Sequence, residues 1–143
     1  MLVNLDYVLK KAQKEKYAVG LFNTTDTDML EAAISAAEEL NSPIIIGTAE
    51  VLLAYGELKL IGPSIIDKAK KAKVPVVVHY DHGLTKERCI EALELGFSSV
   101  MFDGSAHDYE TNIKASTPVS SRYFFASSFV VYISVSKLSF DDA

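Results

Sequence analysis

Five consecutive residues, His79-Tyr80-Asp81-His82-Gly83, hold the densest chemistry in this 143-residue chain. A neutral imidazole is a good ligand for zinc and related ions. A carboxylate beside such a ligand can move a proton to or from a substrate hydroxyl. The glycine lets the backbone turn close to a bound ligand. In an extended chain His79 and Asp81 share one face by two-residue alternation, and His82 falls where the chain leaves the strand. The pattern is short. A hydrogen-bonded core histidine followed by a helix-capping aspartate would use the same letters, and spacing alone leaves both readings open.

Other polar residues are candidates of a weaker kind. Asn23, Asp103 and Ser105 each follow an apolar run. His107 stands in the loop beside Asp103 and reads as a solvated loop residue. Cys89 lies inside a helical pattern from Glu87 to Leu95 and reads as a small buried hydrophobe. As the sole cysteine it can form no internal disulfide, which points to a reducing, cytoplasmic compartment.

The net charge of −5, with no dense Lys/Arg cluster, argues against nucleic acid as a partner. A small phosphorylated metabolite is compatible with it, because a pocket can gather a few backbone N–H groups inside an acidic protein. An apolar content of 49% against 23% charged residues suits one compact domain with a core. The opening residues show no secretory pattern, and the longest apolar runs, Pro43–Ile46 and Pro75–Val78, are of strand length. No membrane association is expected.

The elements that must position these residues alternate. A short helix is predicted over Tyr7–Lys16, then a strand over Tyr17–Phe22 ending at Asn23-Thr24-Thr25. Asp26 is placed to cap a helix in which Met29, Leu30, Ala33, Ile34 and Ala37 recur at helical spacing. The segment Asn41-Ser42-Pro43 ends it. A second strand covers Pro43–Gly47, a looser stretch runs from Thr48 to Gly62, and a helix is predicted near Ser64–Lys73. A third strand, Val74–His79, is apolar enough to be buried on both faces. Thr85 caps a helix to Leu95, closed by Gly96 in the left-handed region. A fourth strand covers Ser98–Phe102, and a further helix begins near Asp108.

This alternation predicts an α/β protein with parallel strands, either a doubly wound sheet or half of a (β/α)8 barrel. Asn23, the His79–His82 cluster and Asp103/Ser105 all fall at the C-terminal ends of strands, where a barrel carries its active site. The glycine-rich dinucleotide fingerprint expected of a nucleotide-binding doubly wound domain is absent after the first strand. The expectation is therefore a partial (β/α)8 TIM barrel, about the first four βα units, over residues 1–115. Residues 116–143 differ in character. They are rich in serine and aromatics, Pro118 interrupts the helix, and Phe129–Val135 is β-prone and nearly uncharged, an aggregation hazard if unpaired.

The strings Pro75–Gly83, Cys89–Leu93 and Gly96–Ser105 resemble the class II fructose-/tagatose-bisphosphate aldolases. Tyr17–Asn23 and Ala36–Ile45 resemble that family's opening segments, and the resemblance is collinear from about residue 4 to about residue 115. It implies metal-dependent (Zn2+) aldol cleavage of a sugar bisphosphate in glycolysis or related carbohydrate metabolism. Asp81 matches the family's acid–base aspartate and His82 one of its catalytic zinc ligands. Asp103 matches a carboxylate near a second metal position, and Asn23 a substrate-side asparagine. His79 belongs to the motif without an assigned role.

Two departures accompany the match. Ala49 stands where many members have a substrate-contacting serine. The family's remaining zinc ligands (a glutamate and two histidines), its phosphate loops and its Asn-x-Asp motif are missing. A truncated aldolase, arising by a frameshift or premature stop near residue 115, is the reading these departures suggest. The product would be either an aldolase or a non-catalytic remnant that binds a partner through an open edge. A homo-oligomer is expected only if the full barrel is restored.

Overall fold

The computed structural model describes residues 1–55 and 57–115, together with the backbone of a strand at 130–134. Its elements run α1 (Leu5–Glu15), β1 (Leu21–Asn23), α2 (Thr27–Glu39), β2 (Ile44–Ala49) and a 3-10 turn (Glu50–Leu52). They continue with α3 (Leu58–Lys71), β3 (Val76–Gly83), α4 (Lys86–Leu95), β4 (Ser99–Asp103), a helix α5 over 109–115, and β5 (Val130–Ser134). No described helix is long and apolar enough to cross a membrane.

Every strand pair is parallel and the sheet order is β1-β2-β3-β4-β5. Strict sequence order is the winding of a barrel; a doubly wound sheet reverses direction at a switch point. The β-prone segment of the tail forms β5, in register with β4 from Ser99↔Val130 to Asp103↔Ser134. The rest of the tail lies outside the described residues.

Helix starts follow side-chain caps. The predicted caps are in place: Met29 N–H donates to Asp26 at 2.8 Å and Arg88 N–H to the Thr85 hydroxyl at 3.3 Å. Thr111 N–H donates to Asp108 at 2.9 Å, ahead of α5. Gly96 closes α4 at φ 104°, a conformation that favours glycine. An unpredicted cap, Asn4, accepts from Tyr7 N–H and starts α1 at Leu5.

Three boundaries depart from the sequence expectation. β1 covers Leu21–Asn23 and not the predicted Tyr17–Phe22, because its strand neighbour among the described residues, β2, begins at Ile44. The Leu21↔Ile45 register would set residues 17–19 against the turn through Asn41 (φ 47°) and Pro43, which offers no ladder. α3 starts at Leu58, ahead of the predicted Ser64, and carries Pro63 inside it. Leu58, Ile61, Ile65 and Ile66 form one buried stripe, so packing overrides the lost backbone bond. β3 starts at Val76 and continues through the whole cluster to Gly83.

Side chains on successive strands divide between two faces by the two-residue period. One face carries Ile44, Ile46, Val76, Val78, Tyr80, Val100 and Phe102, packed under α2, α3 and α4 in the main core. Each such aliphatic residue contributes about 1.5–3 kcal/mol by its burial. Tyr80 and Phe97 meet there edge to face, with ring centroids 6.3 Å apart. The opposite face carries Ile45 and Val77, covered by Leu5 and Val8 of α1 in a smaller cluster. Helices thus shield the outside, and α1 covers the lower part of what would be a barrel interior.

Candidate active site

Register on the inner face sets residues out in rows. Asn23 pairs with Gly47, Gly47 with His79, and His79 with Ser99. One level higher, Ala49 pairs with Asp81. The C-terminal edge therefore collects Asn23, Asp81, His82 and Asp103 from β1, β3 and β4, with His79 and Ser99 paired deeper on the same face. β2 presents only the small Gly47 and Ala49 there. Asn23 uses that space: its Oδ1 lies 2.6 Å from where a Cβ on residue 47 would stand.

His79 is buried and is held from both sides. Its Nδ1 lies 2.8 Å from the Ser99 hydroxyl oxygen, and its Nε2 lies 3.6 Å from Asp81 Oδ1. The second distance is an electrostatic contact, longer than a formed hydrogen bond. The His79 imidazole is the largest influence holding the Asp81 carboxyl below the usual carboxylate range; burial opposes it and His82 assists.

His82 is reached by a break in the ladder. The β3–β4 register shifts between Tyr80 and Gly83, and His82 adopts φ 48°, a left-handed conformation within the strand. Such a bulge re-aims a side chain, and for a non-glycine residue the conformation costs on the order of 1–2 kcal/mol. The result brings His82 Nδ1 to 2.7 Å from Asp103 Oδ2. That contact holds the His82 imidazole above its ordinary value. It also holds the Asp103 carboxyl below its own, assisted by Ser105, whose N–H donates to Asp103 Oδ1 at 3.0 Å.

Sequence reasoning placed His82 just beyond the strand; it lies inside β3, in the bulge. It gave no role to three residues that the structure brings in. Ser99 anchors His79. Gly47 admits Asn23. Glu50, in the turn after β2, accepts from the Tyr80 hydroxyl at 3.1 Å and from Leu84 N–H at 2.7 Å, which ties the loop after β3 to the loop after β2. The available signal for Ser99 was a polar pair, Ser98-Ser99, opening an otherwise apolar strand. His107 is exposed, and Cys89 is fully buried, its thiol pushed up to about 12 chiefly by burial. Asn23 Oδ1 is buried and has no hydrogen-bond partner among the described residues.

The donor set bears on a metal in two ways. His82 has Nδ1 engaged by a carboxylate, the arrangement that orients a ring whose Nε2 binds a metal. Zinc sites take three or four protein ligands, and among the described residues no group of three His, Cys, Asp or Glu is placed to hold a metal ion. The described residues fit one oriented ligand and do not fit a complete zinc site.

A parallel sheet wound in sequence order, with polar side chains from successive strands gathered on its C-terminal edge, defines the first part of a TIM-barrel enzyme scaffold. The profile of the family described as fructose-bisphosphate aldolase, class II, matches residues 3–125, and the chain belongs to that family. It is 42% identical over 114 residues to a fructose-bisphosphate aldolase of Thermus caldophilus, covering 80% of this chain and 37% of that one. It is 38% identical over 121 residues to a 6-phospho-5-dehydro-2-deoxy-D-gluconate aldolase of Bacillus velezensis, covering 82% of this chain and 42% of that one. The chain thus spans about two fifths of these relatives. Among solved structures, the YdjI aldolase of Escherichia coli K12 superposes with a TM-score of 0.88 at 31% identity, over 94% of this chain and 51% of that one. A fructose-bisphosphate aldolase of Campylobacter jejuni, at 23% identity and a TM-score of 0.74, shares the fold.

Proposed function

We propose that this chain carries the acid–base corner of a class II ketose-bisphosphate aldolase site. The reaction is reversible cleavage of fructose or tagatose 1,6-bisphosphate to dihydroxyacetone phosphate and glyceraldehyde 3-phosphate. The observation that carries the reading is the pairing, at the C-terminal edge of β3, of an ionised, half-buried Asp81 with an imidazole, His82, held in place by Asp103. Asp81 takes the proton of the substrate C4 hydroxyl as the C3–C4 bond breaks, and returns it in the condensation direction. Asn23, whose buried side-chain oxygen has no partner among the described residues, faces the same interior and receives a substrate hydroxyl. His82 supplies one ligand, and Asp103 fixes its ring. A zinc ion, when bound, would polarise the ketose carbonyl; its other ligands must come from outside the described residues. Such an enzyme suits the cytoplasm, where the free thiol of Cys89 stays reduced.

The test is complementation. The purified chain is mixed with the C-terminal half-barrel of an aldolase relative and zinc, and triose phosphate release is followed. Turnover is expected in the mixture and is expected to fall by at least 100-fold with Asp81→Asn. Turnover that survives Asp81→Asn would remove the acid–base assignment. A second reading is that the chain is a remnant with no activity of its own. It is favoured by the absence of a three-ligand metal cluster among the described residues. Zinc-dependent turnover by the chain alone would overturn it.

A further inference from the structure

The inner face of β3 and β4 contains a line of three polar side chains, Ser99, His79 and Asp81, of which only Asp81 has a part in the proposed reaction. We propose that Ser99 and His79 form a directional relay that positions Asp81: the Ser99 hydroxyl donates to His79 Nδ1, and His79 Nε2–H is aimed at Asp81 Oδ1. The inference rests on the acid–base role given to Asp81 above.

Geometry sets the direction. His79 Nδ1 and Ser99 Oγ are 2.8 Å apart, and both residues are buried, so one of the two atoms donates. If Nδ1 carried the only ring proton, Nε2 would turn a lone pair toward the Asp81 carboxylate at 3.6 Å, an unfavourable approach in a poorly solvated place. With the proton on Nε2, the same contact is attractive and Nδ1 is free to accept from Ser99. Backbone pairing fixes the parts. His79 and Ser99 are partners in the β3–β4 ladder, and Asp81 lies two residues further along the same face.

The surroundings hold the ring without competing for it. Leu5, Leu9, Leu21, Ile45 and Met101 line an apolar cleft that His79 shares, so among the described residues no acidic or basic side chain competes for the ring along that wall. β2 offers Gly47 opposite His79 and Ala49 opposite Asp81, neither with a polar side chain. Asp81 Oδ1 also lies 3.9 Å from His82 Nε2. Oδ1 is thus the oxygen that faces the His79 ring, which leaves Oδ2 to meet a substrate hydroxyl. His79 is a positioning residue here, not a catalytic one.

The test reads the ring and not turnover. In the 143-residue chain labelled with 15N and 13C, the His79 ring nitrogen shifts report the tautomer and the Asp81 side-chain carbon reports its contact. The expected result is the Nε2–H tautomer, with Nδ1 shifted upfield of a free acceptor by the Ser99 hydrogen bond. Ser99→Ala should remove that upfield shift and Ser99→Thr should restore it. His79→Gln, which keeps an N–H near the Nε2 position, should retain the Asp81 carbon shift, while His79→Leu should move it. An Nδ1–H tautomer, or an Asp81 resonance indifferent to both His79 variants, overturns the proposal. If a variant unfolds, the wild-type tautomer alone still decides. Absence of turnover in the complemented mixture with the relay intact would instead count against the aldolase reading.

Discussion

At the residue scale the site depends on two backbone accommodations at the end of β3. Gly83 is packed against Cys89 and the Met101 carbonyl; an added Cβ would come within 3.0 Å of that backbone oxygen, which cannot swing aside. Gly83→Ala is therefore expected to destabilise the chain by about 1–3 kcal/mol in urea unfolding, and a neutral result would show that the bulge relaxes easily. The His82–Asp103 pair predicts a pH dependence. His82 has its folded pKa raised, so its contribution is full below the unfolded imidazole value (about 6.5) and is lost as pH rises through the folded value. Asp103 has its folded pKa depressed, so its contribution is full above the unfolded carboxylate value (about 4) and is lost on acidification through the folded value. The urea midpoint difference between wild type and Asp103→Asn should be largest between those limits and shrink toward alkaline pH. A difference that grows as pH rises above the unfolded imidazole value would contradict the pairing. Because the His82 side chain is more than half exposed, the effect is expected to weaken in high salt.

At the element scale the helices were legible where a cap or a stop is written in one residue. Asp26, Thr85 and Gly96 each set a boundary by a local bond or a local φ, and the sequence shows such features directly. What was not legible depended on partners far along the chain. The length of β1 is fixed by where β2 starts, and the extent of β3 by a register shift against β4. The start of α3 is fixed by burial against the sheet, against the local vote of Pro63. The same split holds for the site: Asp81 and His82 stand out as a motif, whereas Ser99, Gly47 and Glu50 acquire meaning only through pairing across strands. Pro63 gives a direct test. It is exposed and lies beyond the first turn of α3, so Pro63→Ala should restore a backbone bond and raise stability by about 1–2 kcal/mol, the helix gain less the lost unfolded-state restraint. A lower midpoint would mean that the proline's restraint of the unfolded chain outweighs the restored bond.

At the scale of the whole molecule, stability is unequally shared between the two faces of one sheet. The outer face joins α2, α3 and α4 into a single core, while among the described residues the inner face is covered by α1 in a smaller cluster. Ile46→Ala, at a fully buried position, should cost about 2–5 kcal/mol. Val8→Ala, on the smaller cluster, should cost about 2 kcal/mol. In native-state hydrogen exchange the α1 amides should open at a lower free energy than those of β2 and β3. Equal protection across both would show the two clusters melting as one unit.

The order of the sheet also bears on how such a chain is made. Each strand from β2 to β4 finds its partner in the strand just synthesised, so the sheet can grow by accretion while the polypeptide is still emerging from the ribosome. The first residues are the exception. Val3 N–H donates to the Val76 carbonyl and Val76 N–H to the Met1 carbonyl, both at 2.9 Å, so the leading segment has no seat until β3 has been translated. Residues 1–3, made before β1, are thus among the later parts to be fastened. A long extension fused ahead of Met1 would burden that late step and leave the earlier accretion untouched.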